Sequence, residues 1–160
     1  MKLKVYLETS VVSYLVARPN RDIIVAAHQE LTRQWWEQER NQYHLTVSEV
    51  VVREAGAGNP EMATQRRKIL EGIDVLEISE QALALAEELV KRGAVPAAAS
   101  VDALHIAIAV TNGVEYLLTW NCSHIANAKM RRTIDAVCVG NGYRPTILCT
   151  PEELTEELGK

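Results

Sequence analysis

Lys4-Val5-Tyr6-Leu7-Glu8-Thr9-Ser10-Val11-Val12-Ser13-Tyr14-Leu15-Val16 is the stretch whose reading decides the fold. Its first four residues have the length and apolar bias of a short buried strand, and the strand ends on an acid. The apolar run 11–16 then begins a helix, which Pro19-Asn20 breaks. Strand, acid and helix make one β–α unit. The acid interrupts an otherwise apolar segment at the strand's carboxyl end.

The same unit repeats outward along the chain. Asn20 is read as the cap of a long polar helix to about residue 40, with Ile23, Ile24, Ala27, Leu31 and Trp35 near helical spacing. Residues 43–47 are the second strand, and Ser48 caps a helix carrying Val51, Val52 and Glu54. Gly56-Ala57-Gly58-Asn59-Pro60 ends that helix, and Pro60 opens the next, to about residue 71. Residues 75–78 are the third strand. Ser79 then caps a helix with Leu83, Ala86, Leu89 and Val90 on one face, stopped by Gly93. A helix over 100–112 is stopped by Gly113, and 116–119 form the fourth strand. The polar turn Asn121-Cys122-Ser123-His124 precedes a helix over about 125–139. Residues 146–149 are the last strand, and Thr150-Pro151-Glu152-Glu153 has capping-box spacing. Short apolar strands alternating with helices predict a parallel sheet covered on both faces.

The chain has 160 residues, which suits one domain over 1–160 and is long enough to bury a core without staples. Hydrophobic residues at 48% and charged residues at 24% exclude a disordered chain. Three cysteines with no CxxC spacing argue against a disulfide framework and for a reducing, cytoplasmic setting. The amino-terminal segment reads as a strand rather than a signal peptide, and no stretch has the length of a membrane span. A net charge of −4 weighs against nucleic-acid binding without excluding it, because local distribution outweighs the sum. The basic clusters Arg66-Arg67-Lys68, Lys91-Arg92 and Lys129 with Arg131-Arg132 read first as solvated helix faces.

In an open parallel sheet, ligands bind outside the carboxyl ends of the strands. Glu8 and Asn121 stand there, after the first and fourth strands. Glu54 lies in the helix after strand two, and Asp102 near the start of the helix before strand four. Glu8 can equally cap the following helix, and Glu54 can be a solvated helix residue. Asp102 sits in an apolar helix and needs solvent, a cation or a hydrogen-bonding partner. His105 shares a face with it and reads more readily as an oriented core histidine than as a ligand. Three acids and an amide at this rim suit Mg²⁺ or Mn²⁺, which promote phosphodiester hydrolysis. Cys122-x-His124 hints at zinc but has no second ligand pair. Trp35, Trp36 and Trp120 can stack on RNA bases or pack within the protein.

With these residues in place, the chain resembles the PIN domains, in particular the VapC-like ribonuclease toxins. The resemblance is carried by Val-Tyr-Leu-Glu8-Thr9-Ser10, Ser48-x-x-Val51-x-x-Glu54, Asp102-Ala-Leu-His105-Ile-Ala and Leu-Leu-Thr119-Trp120-Asn121. It implies a five-stranded, mainly parallel sheet in the order 3-2-1-4-5, with strand one central. It implies a metal site of Glu8, Glu54, Asp102 and Asn121, supported by Ser10, Thr119 and His105. The activity implied is metal-dependent RNA cleavage, in the toxin half of a toxin–antitoxin pair. RNA, an antitoxin protein and a second copy of the chain are the implied partners. Two positions depart from the family pattern: Glu8 stands where Asp is usual, and Asn121 where a fourth acid often stands. The alternative is a non-catalytic PIN-like module that binds RNA or a protein.

Overall fold

The computed structural model describes residues 1–156. Five strands form one sheet: β1 (Lys4–Leu7), β2 (His44–Ser48), β3 (Asp74–Leu76), β4 (Tyr116–Leu118) and β5 (Ile147–Cys149). Their order is β3-β2-β1-β4-β5, with every neighbouring pair parallel. Tyr6 of the central strand lies opposite Thr46 on one side and Leu117 on the other. Val5, Tyr6 and Leu7 are all fully buried. Successive strand side chains point to opposite faces, so both faces of the central strand are covered.

Seven α-helices surround the strands among the described residues: α1 (Thr9–Val16), α2 (Ile23–Gln38), α3 (Glu49–Ala55), α4 (Pro60–Leu70), α5 (Glu80–Lys91), α6 (Ser100–Thr111) and α7 (Ala128–Gly140). α5 packs on α6, and α1 lies against α2, α3 and α4. One buried apolar cluster runs from β1 through to β5. Ser48, Ser79 and Pro60 start their helices as the sequence predicts. Ser48 Oγ accepts the Val51 N–H and Ser79 Oγ the Ala82 N–H. Gly113, at φ +66°, turns the chain from α6 directly into β4.

Four expectations need correction. The cap of α2 is Asp22, whose carboxylate accepts the Ile24 and Val25 N–H groups; Asn20 accepts the Asp22 N–H instead. Both are good cap residues, and only the one whose chain direction meets the helix serves. Ile23 and Ile24 are 84% and 66% exposed, because the first turn of α2 overhangs the core its later turns join. The helix after Asn121 begins at Ala128, not near 125. Ile125 and Ala126 bond back to the Asn121 carbonyl, and Asn127 supplies the cap. The capping-box bonds of Thr150 and Glu153 do form, but the residues there make turns and no helix.

Candidate active site

Glu8 occupies the junction between β1 and α1. Its carboxylate caps α1 by accepting the Ser10 N–H at 3.1 Å, where a negative charge also suits the helix dipole. Only 7% of Glu8 is exposed. A carboxylate so buried needs strong donors, and two hydroxyls supply them: Ser10 Oγ and Thr119 Oγ1 each donate to Oε1 at 2.5 Å. Each hydroxyl also accepts a backbone N–H from the exit of β4. The Trp120 N–H donates to Ser10 Oγ, and the Asn121 N–H to Thr119 Oγ1, both at 2.9 Å. Ser10 and Thr119 thus tie Glu8 to the carboxyl ends of two neighbouring strands. The capping reading of Glu8 thus describes it.

Glu54 stands beside this group. Thr9 Oγ1 donates to its Oε1 at 2.8 Å, and His105 Nε2 meets the same oxygen at 2.7 Å. The His105 hydrogen bond holds the Glu54 carboxyl below the usual carboxylate range, against the opposing effect of partial burial. His105 is therefore an oriented core histidine, as the sequence suggested, and its partner across the site is Glu54. It is almost wholly buried, and its Nδ1 lies 2.6 Å from the Tyr6 hydroxyl. Tyr6 in turn meets Ser48 Oγ at 2.7 Å. Burial pushes the Tyr6 hydroxyl far above the ordinary phenol range, so it remains protonated.

Asp102, in the first turn of α6, meets His124 Nδ1 at 3.1 Å. The helix between two parallel strands runs back from their carboxyl ends, so its first turn lies at the same rim as Glu8. Asn121 Oδ1 accepts the His124 N–H at 3.0 Å, which joins Asn121 to Asp102 through His124. Asn121 thus acts here as a turn-forming side chain. Sequence reasoning gave Thr9 and Tyr6 no role at the site and weighed His124 only as a zinc ligand. Thr9 carried a signal in its place beside Glu8, and His124 in the polar turn at the end of β4.

The donors available to a metal are hard oxygens. Among the described residues, Glu54 Oε2 and Asp102 Oδ1 accept no hydrogen bond, and none of the three acids pairs with lysine or arginine. No group of three or more His, Cys, Asp or Glu side chains among the described residues is gathered as a ready-made metal cage. Hard oxygens are the donor type that Mg²⁺ and Mn²⁺ take, and Mg²⁺ commonly binds through one or two carboxylates while keeping water.

Other chemistries find less support. Burial pushes the Cys138 thiol up to about 11 and the Cys149 thiol up to about 12, so neither offers a thiolate near neutrality. Trp35 is buried in the core. Trp120 stacks on His28 at 4.0 Å between ring centroids and donates to Thr32 Oγ1. The Arg40 guanidinium sits 4.8 Å over the Trp36 ring. Arg66 caps the end of α3 through the Ala55 and Ala57 carbonyls, so that basic cluster is partly committed to the fold.

No family model matches the sequence, and no curated protein does. Solved structures do match the architecture. The chain is similar to VapBC2 from Rickettsia felis, solved with a DNA fragment from its promoter, with a TM-score of 0.58 and 16% identity over 91% of this chain and 97% of that one. Mycobacterium tuberculosis VapC20, a sarcin–ricin loop cleaving toxin, matches with a TM-score of 0.59 and 16% identity over 75% and 92%. VapBC-1 of nontypeable Haemophilus influenzae matches with 0.58 and 17% identity over 94% and 99%. The chain has the PIN-domain fold. Within that fold, Glu8, Glu54, Asp102 and Asn121 are each joined to neighbouring protein groups by the hydrogen bonds above. No helix among the described residues is long and apolar enough to cross a membrane.

Proposed function

We propose that the protein is a Mg²⁺- or Mn²⁺-dependent ribonuclease that hydrolyses RNA phosphodiester bonds, as the toxin of a cytoplasmic toxin–antitoxin pair. The observation that carries this reading is the set Glu8, Glu54 and Asp102 at the carboxyl-end rim of a PIN-fold sheet. The likeness to VapC20, a sarcin–ricin loop cleaving toxin, and to two VapBC structures supports RNA as substrate and an antitoxin as partner.

Glu54 and Asp102 would hold the metal through the oxygens that the protein leaves without donors. Glu8 adds negative charge from a position fixed by Ser10 and Thr119. A bound divalent ion supplies an activated water and neutralises charge on the leaving oxygen. Thr9 and His105 keep the Glu54 carboxylate ionised and oriented, and the His124 contact orients Asp102. Asn121 contributes no charge and orders the turn that presents His124.

The second reading is a non-catalytic PIN-like module that binds RNA or a protein. What favours it is that each acid already has a protein partner, and that no three ligands are gathered among the described residues. Calorimetric titration of Mn²⁺ separates the two. Saturable binding that Asp102→Asn weakens supports the nuclease; no binding to the wild type leaves the module.

A further inference from the structure

The Glu54 carboxylate is the end of a buried hydrogen-bond chain that crosses four elements. The Val51 N–H donates to Ser48 Oγ, which lies 2.7 Å from the Tyr6 hydroxyl. Tyr6 lies 2.6 Å from His105 Nδ1, and His105 Nε2 lies 2.7 Å from Glu54 Oε1. The carboxylate has no hydrogen to give, so Nε2 must carry one. In a neutral imidazole Nδ1 is then an acceptor and takes the Tyr6 O–H. The Tyr6 oxygen accepts from Ser48, whose own oxygen takes the backbone N–H. With that tautomer every hydrogen runs in one direction, from the backbone N–H to the carboxylate.

Ser48 sits at both ends of this arrangement. It caps α3, the helix that carries Glu54, and through Tyr6 and His105 it reaches the Glu54 side chain. The helix and the carboxylate are therefore referenced to one buried atom. Ser48, Tyr6 and His105 are all at most 1% exposed, so water does not compete for these bonds.

We propose that Tyr6 and His105 are positioning residues for Glu54, and that their directed chain spends Oε1 on the protein and leaves Oε2 for a divalent metal ion. The proposal rests on the metal-dependent reading above and adds which buried groups set the metal's affinity. Partners that orient metal-ligating groups commonly alter affinity or activity by about 10–100-fold when removed.

Three variants and Mn²⁺ alone test it, by calorimetric affinity and by melting temperature without metal. Tyr6→Phe keeps the ring and removes the O–H that fixes the tautomer. His105→Asn places an amide where Nδ1 was, near Tyr6 but short of Glu54. His105→Gln places an amide N–H where Nε2 was, within reach of Glu54. Tyr6→Phe and His105→Asn are expected to weaken Mn²⁺ binding about 10-fold or more, and His105→Gln to restore it to within about 3-fold of wild type. A merely structural role predicts instead that affinity follows the metal-free melting temperature, with no recovery specific to His105→Gln. That result, or unchanged affinity in Tyr6→Phe and His105→Asn, overturns the positioning role while wild-type binding leaves the metal reading standing. A wild type that binds no Mn²⁺ overturns both.

Discussion

At the scale of residues, the acids differ in how they are held. Glu8 is buried under two hydroxyls and a backbone N–H, whereas the Glu54 side chain is 40% exposed and leans on His105. The His105 bond lowers the folded-state pKa of Glu54 below its ordinary 4.5. A depressed carboxylate stabilises the fold above its unfolded value, and that contribution is lost as pH falls through the lower folded value. Glu54→Gln is therefore expected to cost stability near neutral pH, with the difference from wild type shrinking as pH is lowered below about 4.5, read by thermal melts. Solvent screening keeps this effect small. Asp102→Asn is nearly isosteric and removes a charge from an acidic rim, so the metal-free melting temperature should not fall by more than a few degrees. Asn121→Asp restores a fourth carboxylate beside Asp102 and is expected to tighten Mn²⁺ binding, as measured by calorimetry. Glu8 and Asp102 stood out in the sequence as acids in an apolar or helix-start context, and Glu54 through the family resemblance. The chain from Ser48 to Glu54 was not, since its links join residues 42, 99 and 51 positions apart. Such contacts depend on how β1, α3 and α6 pack, which local pattern does not encode.

At the scale of elements, punctuation decides the site's geometry. Ser48 and Asn127 start helices, and Gly113 ends one, all close to strand junctions. Gly113→Ala meets no atom within 4 Å, so its cost is the backbone conformation alone. At φ +66° this is about 1–2 kcal/mol, expected as a lowered denaturation midpoint with an unchanged slope. Strand β1 was read to the residue, because its apolar run is bounded by an acid. The starts of α2 and α7 were misplaced because several polar residues there compete for the cap. Spacing identifies a helix face, as for Ile23 and Ile24, but does not tell which turns have a neighbour to cover them.

At the scale of the whole molecule, the strand order 3-2-1-4-5 brings residues from opposite halves of the chain to one rim. That order was legible from the alternating pattern joined to the family resemblance, and the solved PIN-fold structures agree with it. Oligomeric state is a further proposal. Adjacent tryptophans on α2 point about 100° apart; Trp35 takes the core, and Trp36 is left half-buried under Arg40. A partner copy at this half-covered indole predicts a homodimer at micromolar concentration, and a monomeric mass by light scattering would count against it. Metal binding should also appear globally. At about 100 times its dissociation constant, Mn²⁺ adds roughly 2.7 kcal/mol to stability. For a chain of this size that raises the melting temperature by about 5–10 °C. The most direct measurement is cleavage of a labelled single-stranded RNA by wild type and by Asp102→Asn, with Mn²⁺ and with chelator. The account predicts cleavage by the wild type in Mn²⁺ only, and none by the variant at unchanged fold. Equal cleavage by both proteins, or cleavage that survives the chelator, would contradict it.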